Sequence, residues 1–192
     1  MRMDLAEPPF EHVVLVDENN HPVGTRNKND AHHADTPLHR GFSIFLFDRM
    51  GRTLLQQRRF GKITWPGVWS NACCGHPQLH ESTVDAMHRR LSDELGLTGV
   101  DLSILLPDYR YRFKRNGVVE NEFCPVAVGV VDQPPRPNPG EVNAVRWIGW
   151  DEFLAELERE NDYSEWCNEE AMLLANDVSF GHFHQALRAG SP

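Results

Sequence analysis

The sequence predicts an α/β (α+β) sandwich, with a mixed β-sheet packed between helices, from three features. Strand-length apolar runs alternate with turn residues, one central segment carries a capped helical stripe, and the C-terminal segment has helical periodicity. At 192 residues the chain is long enough for one domain with a substantial core, so residues 1–192 are read as a single domain.

Taken in order, "EHVVLVD" (11–17) is a strand and "ENNHPVG" after it is turn-rich. "FSIFLFD" (42–48) reads as a buried strand, and "RMG" turns it into "RTLLQQRR" (52–59) as a hairpin. The Gly-, Pro- and Trp-rich stretch 60–77 is expected as loop. Then comes the clearest helix: Ser82 as N-cap, an apolar stripe of Val84, Met87, Leu91 and Leu95, and Gly96 to end it. "NEFCPVAVGVV" (121–131) is a further strand in which Pro125 marks an edge or bulge. "DQPPRPNPG" (132–140) is a surface loop, "NAVRWIGW" a short strand, and "DEFLAELERE" and 164–188 are helices.

Composition excludes several classes of function. A net charge of -9 and a pI near 5.5 argue against a general nucleic-acid binder, so an anionic substrate would need local cations. No run approaches the roughly 18 apolar residues of a membrane span, and "MRMDLAEPPFEH" lacks a signal-peptide core. A cytoplasmic protein without membrane contacts is expected, as a monomer or weak homodimer. The four cysteines form no disulfide framework, and adjacent Cys73 and Cys74 could bridge only through a strained ring.

The central helix carries the first chemical signature. Gly75, Glu81, Arg89, Asp93, Glu94 and Gly96 have a spacing similar to the Nudix box, a glycine loop and acidic helix that bind a divalent ion on a diphosphate. Where hydrolases of that family carry a further glutamate, this chain has Arg90. The loss of one carboxylate predicts the fold without the hydrolysis. Arg90 and Glu94, four apart on one face, read either as a solvated ion pair or as a phosphate-binding guanidinium beside a magnesium ligand.

A second signature lies outside the box. His32, His39, His76, Glu120 and Glu122 together make a nitrogen and oxygen set suited to a transition metal, and the imidazoles disfavour magnesium. Glu120 and Glu122 share one side of an extended segment. Each histidine alone reads as a surface or satisfied residue.

Together the motifs "AHHADTPLHRGF", "WPGVWSNACCGHPQ", "RRLSDELG", "YRYRF" and "ENEFCPV" resemble the type 1 isopentenyl-diphosphate isomerases, Nudix-fold enzymes that interconvert isopentenyl and dimethylallyl diphosphates. The resemblance implies a Nudix-type core at about 40–150, an N-terminal metal-ligand segment and C-terminal helices closing the pocket. It implies that His32, His39, His76, Glu120 and Glu122 hold tightly bound zinc or manganese, with His33 the neighbour most easily mistaken for a ligand. It further implies that Glu94 and the Cys74 carbonyl bind magnesium arriving with the diphosphate, which Lys28, Arg58, Lys62 and Arg90 grip. Cys74 and Glu122 would handle the two protons, Tyr111 would hydrogen-bond to Glu122, and the Trp166 ring would face the cation. Core aromatics are the alternative reading of Tyr111 and Trp166. Register makes Cys73 incidental, and Cys124 and Cys167 buried small hydrophobes. A Nudix pyrophosphohydrolase and a non-catalytic zinc module are the rival readings.

Overall fold

The computed structural model describes residues 11–159 and 162–190. The stretch read as lacking a signal-peptide core therefore lies, up to residue 10, outside the described residues, as does Glu160 at the end of a predicted helix. The first strand is β1 (His12–Val16), and its turn leads into β2 (Pro22–Asn27), a strand hidden in the turn-rich sequence. Asn20 makes the reversal with φ 61, a left-handed conformation asparagine tolerates. The short α1 (Lys28–Ala31) and β3 (His39–Arg40) follow.

The run "FSIFLF" forms β4 (Phe42–Phe47), buried throughout. The hairpin to β5 (Arg52–Arg58) holds at its turn, where Phe47 pairs with Thr53, and then opens. The segment expected as loop supplies two short strands that fill the opening. β6 (Trp69–Ser70) pairs with β5, and β7 (Cys73–Gly75) pairs with β4.

The predicted helix is α2 (Thr83–Leu95), with the Ser82 hydroxyl accepting from the Asp85 N–H and Gly96 closing it at φ 63. Val84, placed on the apolar stripe, is instead 39% exposed. It sits in the solvent-facing first turn, and the buried face is Ala86, Met87, Arg90, Leu91, Glu94 and Leu95, which includes two charged residues.

β8 (Leu102–Leu106) and β9 (Arg110–Arg115) precede β10 (Val118–Phe123) and β11 (Val126–Val130). The single strand expected over 121–131 is thus two strands in different sheets. Pro125 lies between them, and having no N–H to give a ladder it marks the point where the chain changes sheet. β12 (Val142–Gly149), α3 (Trp150–Leu157), α4 (Glu165–Ala175) and α5 (Val178–Arg188) complete the chain. Trp150, expected to end the strand, begins α3.

One sheet has the order β2-β1-β3-β10-β9, and the other runs β12-β5-β4-β11-β8. Both are mixed: β3 runs parallel to β10 and β4 parallel to β11, the rest antiparallel. The two parallel pairings share one register, His39 opposite Glu122 and Ser43 opposite Val126, so the segment 39–47 lies along 122–130 through both sheets. Alternation along β4 sends Phe42, Ile44 and Leu46 against Met87, Leu91 and Leu95 of α2. Phe45 and Phe47 face the other way, into Phe153, Trp166 and Phe180 of the C-terminal helices. Burying side chains of this size contributes about 1.5–3 kcal/mol each, and the sandwich follows from having two such faces. No helix among the described residues is long and apolar enough to cross a membrane. All four cysteines are free.

Candidate active site

A cavity of about 290 Å³ opens where the two sheets meet, between the N-terminal segment, the 58–64 turn and α4. One end is the histidine and glutamate cluster. The parallel register puts His39 beside Glu122, the two-residue period of β10 puts Glu120 on the same side, and α1 and β7 deliver His32 and His76. One ligand atom from each of the five lies within 4.8 Å of every other. His32 Nε2 is 3.1 Å from Glu120 Oε2, while His39 and His76 Nε2 are 3.6 and 3.0 Å from Glu122 Oε1.

The outer hydrogen bonds fix which nitrogens face the centre. His32 Nδ1 meets the Lys28 carbonyl at 3.1 Å and His39 Nδ1 meets the Pro37 carbonyl at 2.9 Å. A carbonyl can only accept, so both Nδ1 atoms carry hydrogen and Nε2 is the nitrogen each ring turns inward, with a lone pair for a metal when the ring is neutral. His32 Nε2, His39 Nε2 and Glu120 Oε2 are buried without a hydrogen-bond partner. Two orphaned imidazole nitrogens and an orphaned carboxylate oxygen, converging with His76 and Glu122, are the arrangement a divalent transition metal satisfies, so the residues fit the ion that the resemblance implies. Burial opposes ionisation of Glu122, but His39 and His76 hold its carboxyl far below the usual range. Burial likewise pushes His76 down to about 4 despite Glu122. His33 is excluded: its ring takes the Asp35 N–H on Nδ1 and Arg26 on Nε2, away from the cluster.

Two residues that no chemical pattern singled out shape the centre. A Cβ on Gly41 would stand 1.8 Å from Glu122 Oε2, so glycine is what allows the carboxylate into place. Asn71, fully buried, donates through Nδ2 to the Ile44 and Cys73 carbonyls and accepts the Cys74 thiol on Oδ1 at 3.2 Å. Their signals were only small or amide side chains inside quoted motifs, which carry no chemistry until packed.

The thiols separate by strand alternation. Cys73 points into the core beside α2 and is fully buried, whereas Cys74 faces the cavity. Burial, and then the nearby Glu170 carboxyl, push the Cys74 thiol up to about 12, against its hydrogen bonds with Ser43 and Asn71 and the charge of Arg58. It is held as S–H. Cys124 and Cys167 are buried, as expected.

Tyr111 and Trp166 form an aromatic wall, stacked at 5.7 Å and 18°, with Trp65 edge-on to Trp166 at 5.1 Å. Tyr111 meets Glu122 as its cross-strand partner, and no hydrogen bond joins its hydroxyl to that carboxylate.

The other end of the cavity is cationic. Lys28, Arg58, Lys62 and Arg90 all line it. Lys28 Nζ is 2.7 Å from Glu11 and Lys62 Nζ 2.6 Å from Glu141. Arg90 binds Glu94 Oε1 through Nε at 3.1 Å and through Nη2, and reaches Glu141 at 3.5 Å. Glu94 stands one layer back, 1% exposed. Arg58 donates to the Thr64 and Trp65 carbonyls and lies 5.5 Å over the Trp166 ring. Glu81 and Arg89 of the box pair with each other at 2.8 Å and brace the loop instead of entering the cavity.

Comparison with known proteins agrees with this geometry. The NUDIX domain family model matches residues 37–173. The isopentenyl-diphosphate Delta-isomerase of Saccharopolyspora erythraea is 48% identical over 163 residues, covering 84% of each chain. That of Mycolicibacterium vanbaalenii is 43% identical, covering 90% of this chain and 95% of its own. A crystal structure from Deinococcus radiodurans superposes with a TM-score of 0.70 at 19% identity, over 85% of this chain and 98% of its own. The MutT protein of Methanosarcina mazei gives 0.60 at 16%, over 78% and 96%. These two share the fold. The chain belongs to the Nudix family, among the isopentenyl-diphosphate Delta-isomerases.

Proposed function

We infer that the protein interconverts isopentenyl and dimethylallyl diphosphates by adding a proton at one carbon and removing one two carbons away. The observation that carries this reading is the cavity itself, in which a thiol and a carboxylate sit beside an aromatic wall and cations gather at one end. The Cys74 S–H donates its proton to the terminal methylene carbon, whose π electrons form the new C–H bond and leave a tertiary cation on the neighbouring carbon. Glu122, kept ionised by its histidines, accepts the proton from the methylene on the diphosphate side, and that C–H pair becomes the new double bond. In the reverse direction the two roles exchange. Trp166 presents its ring to the cation, a contact of about 2 kcal/mol when desolvated, and with Tyr111 it excludes the water that would capture it.

His32, His39, His76, Glu120 and Glu122 would hold a zinc or manganese ion, which supplies fixed positive charge that sets the basicity of Glu122. Lys28, Arg58, Lys62 and Arg90 would bind the diphosphate, with Glu94 and the Cys74 carbonyl holding the magnesium that accompanies it. Arg90 argues against the pyrophosphohydrolase alternative: it stands on α2 where that family's hydrolases carry a carboxylate, so the acidic cluster that activates water has lost a ligand.

The test is incubation of metal-replete protein with isopentenyl diphosphate and magnesium. The expected product is the dimethylallyl isomer, carrying deuterium when the solvent is D2O. Absence of isomer, or release of phosphate in its place, refutes the reading.

A further inference from the structure

We propose that Glu141 is an internal stand-in for the substrate's diphosphate, neutralising Lys62 and Arg90 before substrate binds and yielding them only to a multiply charged anion. This builds on the diphosphate reading above and assigns a specificity role to a residue with no part in the proton transfers.

Every cation at this end of the cavity already has a partner. Three of those partners are carboxylates, and they are not equivalent. Glu11 holds Lys28 from outside, its side chain 55% exposed. Glu94 shares a helix with Arg90, four residues on, and its side chain is 2% exposed, so it cannot withdraw without moving α2. Glu141 is different: it lines the cavity, its side chain is 29% exposed, and one oxygen, Oε2, touches both Lys62 at 2.6 Å and Arg90 at 3.5 Å. A single anionic oxygen shared by a lysine and an arginine is what a non-bridging phosphate oxygen would present.

The backbone around Glu141 is pinned while the side chain is not. Its N–H donates to the Asn138 carbonyl at 2.9 Å and its carbonyl accepts from the Arg59 N–H at 3.2 Å. The Pro-rich loop before it is docked on the end of α2, Arg136 and Asn138 giving their N–H groups to the Leu95 and Glu94 carbonyls. Rotation of one side chain therefore frees Lys62 and lifts Glu141 from Arg90, which stays paired with Glu94, without disturbing the fold.

The electrostatic consequence is selective. With Glu141 in place, Lys62 and Arg90 face Glu94 and Glu141, two charges against two. A singly charged anion gains little by exchanging with a carboxylate already in contact. A diphosphate carries enough additional charge to displace it. Glu141 thus lowers affinity for every anion but lowers it most for weakly charged ones.

The test is calorimetric titration of full-length, metal-replete protein with inorganic pyrophosphate and with inorganic phosphate, without magnesium, comparing wild type with Glu141→Gln. The variant is expected to bind pyrophosphate about tenfold tighter and to gain more for phosphate, narrowing the preference between them. Glu141→Asp, which keeps the charge, should stay near wild type, and thermal melts confirm that both fold. Unchanged or weaker binding by Glu141→Gln overturns the proposal. A repeat with magnesium added supplies a second refutation, since a loss of binding seen only there would make Glu141 a metal ligand. Neither result touches the isomerase reading, which fails separately if wild type binds pyrophosphate yet produces no dimethylallyl isomer.

Discussion

Replacing Gly41 by alanine probes the centre with a single methyl group. The backbone of Gly41 is not left-handed, so alanine adds no conformational strain and acts through its Cβ alone. That Cβ would stand 1.8 Å from Glu122 Oε2, and contacts below 3.0 Å do not persist, so the carboxylate must move by at least 1.2 Å. The displacement is comparable with the whole tolerance of a metal or proton-transfer geometry, where a 1 Å misplacement costs about 10²-fold. Glu122 has no easy retreat, because His39 and His76 close it in from two sides. We expect kcat to fall by about 10²-fold, equivalent to about 2.7 kcal/mol of barrier, together with a loss of bound transition metal. Metal stoichiometry by mass spectrometry and product formation by chromatography measure the two effects, and a thermal melt shows that the variant folds. Gly41→Ala with wild-type metal content and wild-type rate would refute the argument, because it would mean that Glu122 is not held where the structure places it.

Cys74→Ser should lose at least about 10²-fold in isomerisation rate, whereas Cys73→Ala should keep its rate and lose about 1 kcal/mol of stability from a small core cavity; equal effects in both would show that the cavity-facing assignment is wrong. Chelation should lower the melting temperature and abolish turnover, with zinc or manganese restoring both, since an ion at 1,000 times its Kd contributes about 4 kcal/mol; a melting point indifferent to chelator would deny the cluster its metal. Glu170, fully buried with one oxygen unpartnered, is held by burial well above the usual carboxylate value of 4.5. A raised folded-state value means stability that is complete below the unfolded value and lost as pH rises toward the folded one, at up to about 1.4 kcal/mol per pH unit. Glu170→Gln should flatten that decline in denaturant melts between about pH 5 and about pH 8 and exceed wild type at the upper end; parallel slopes for the two proteins would show that Glu170 does not titrate in this range.

Much of the site was legible because its signals are local or chemically distinctive. The caps and stripe of α2 are set by neighbours within one turn, and they appear where expected apart from Val84. The five candidate ligands are types that rarely cluster without cause, and all five converge. The register of "CGHP" in the resemblance singled out Cys74, and the alternation of β7 turns that thiol to the cavity and Cys73 to the core. Less legible were β2, β6 and β7, each short and set among turn residues, and the division of 121–131 into two strands.

By itself the sequence determined the helix, because its caps and stripe depend on residue type and on a period of three to four residues, and its motifs named the candidate ligands and, through the resemblance, Cys74. Only the tertiary structure decided that Gly41 must lack a side chain, that Asn71 holds the thiol, and that Glu141 rests on the cations. Those facts arise from segments far apart in the chain meeting at a shared register, where a glycine or a glutamate acquires meaning from what lies opposite it.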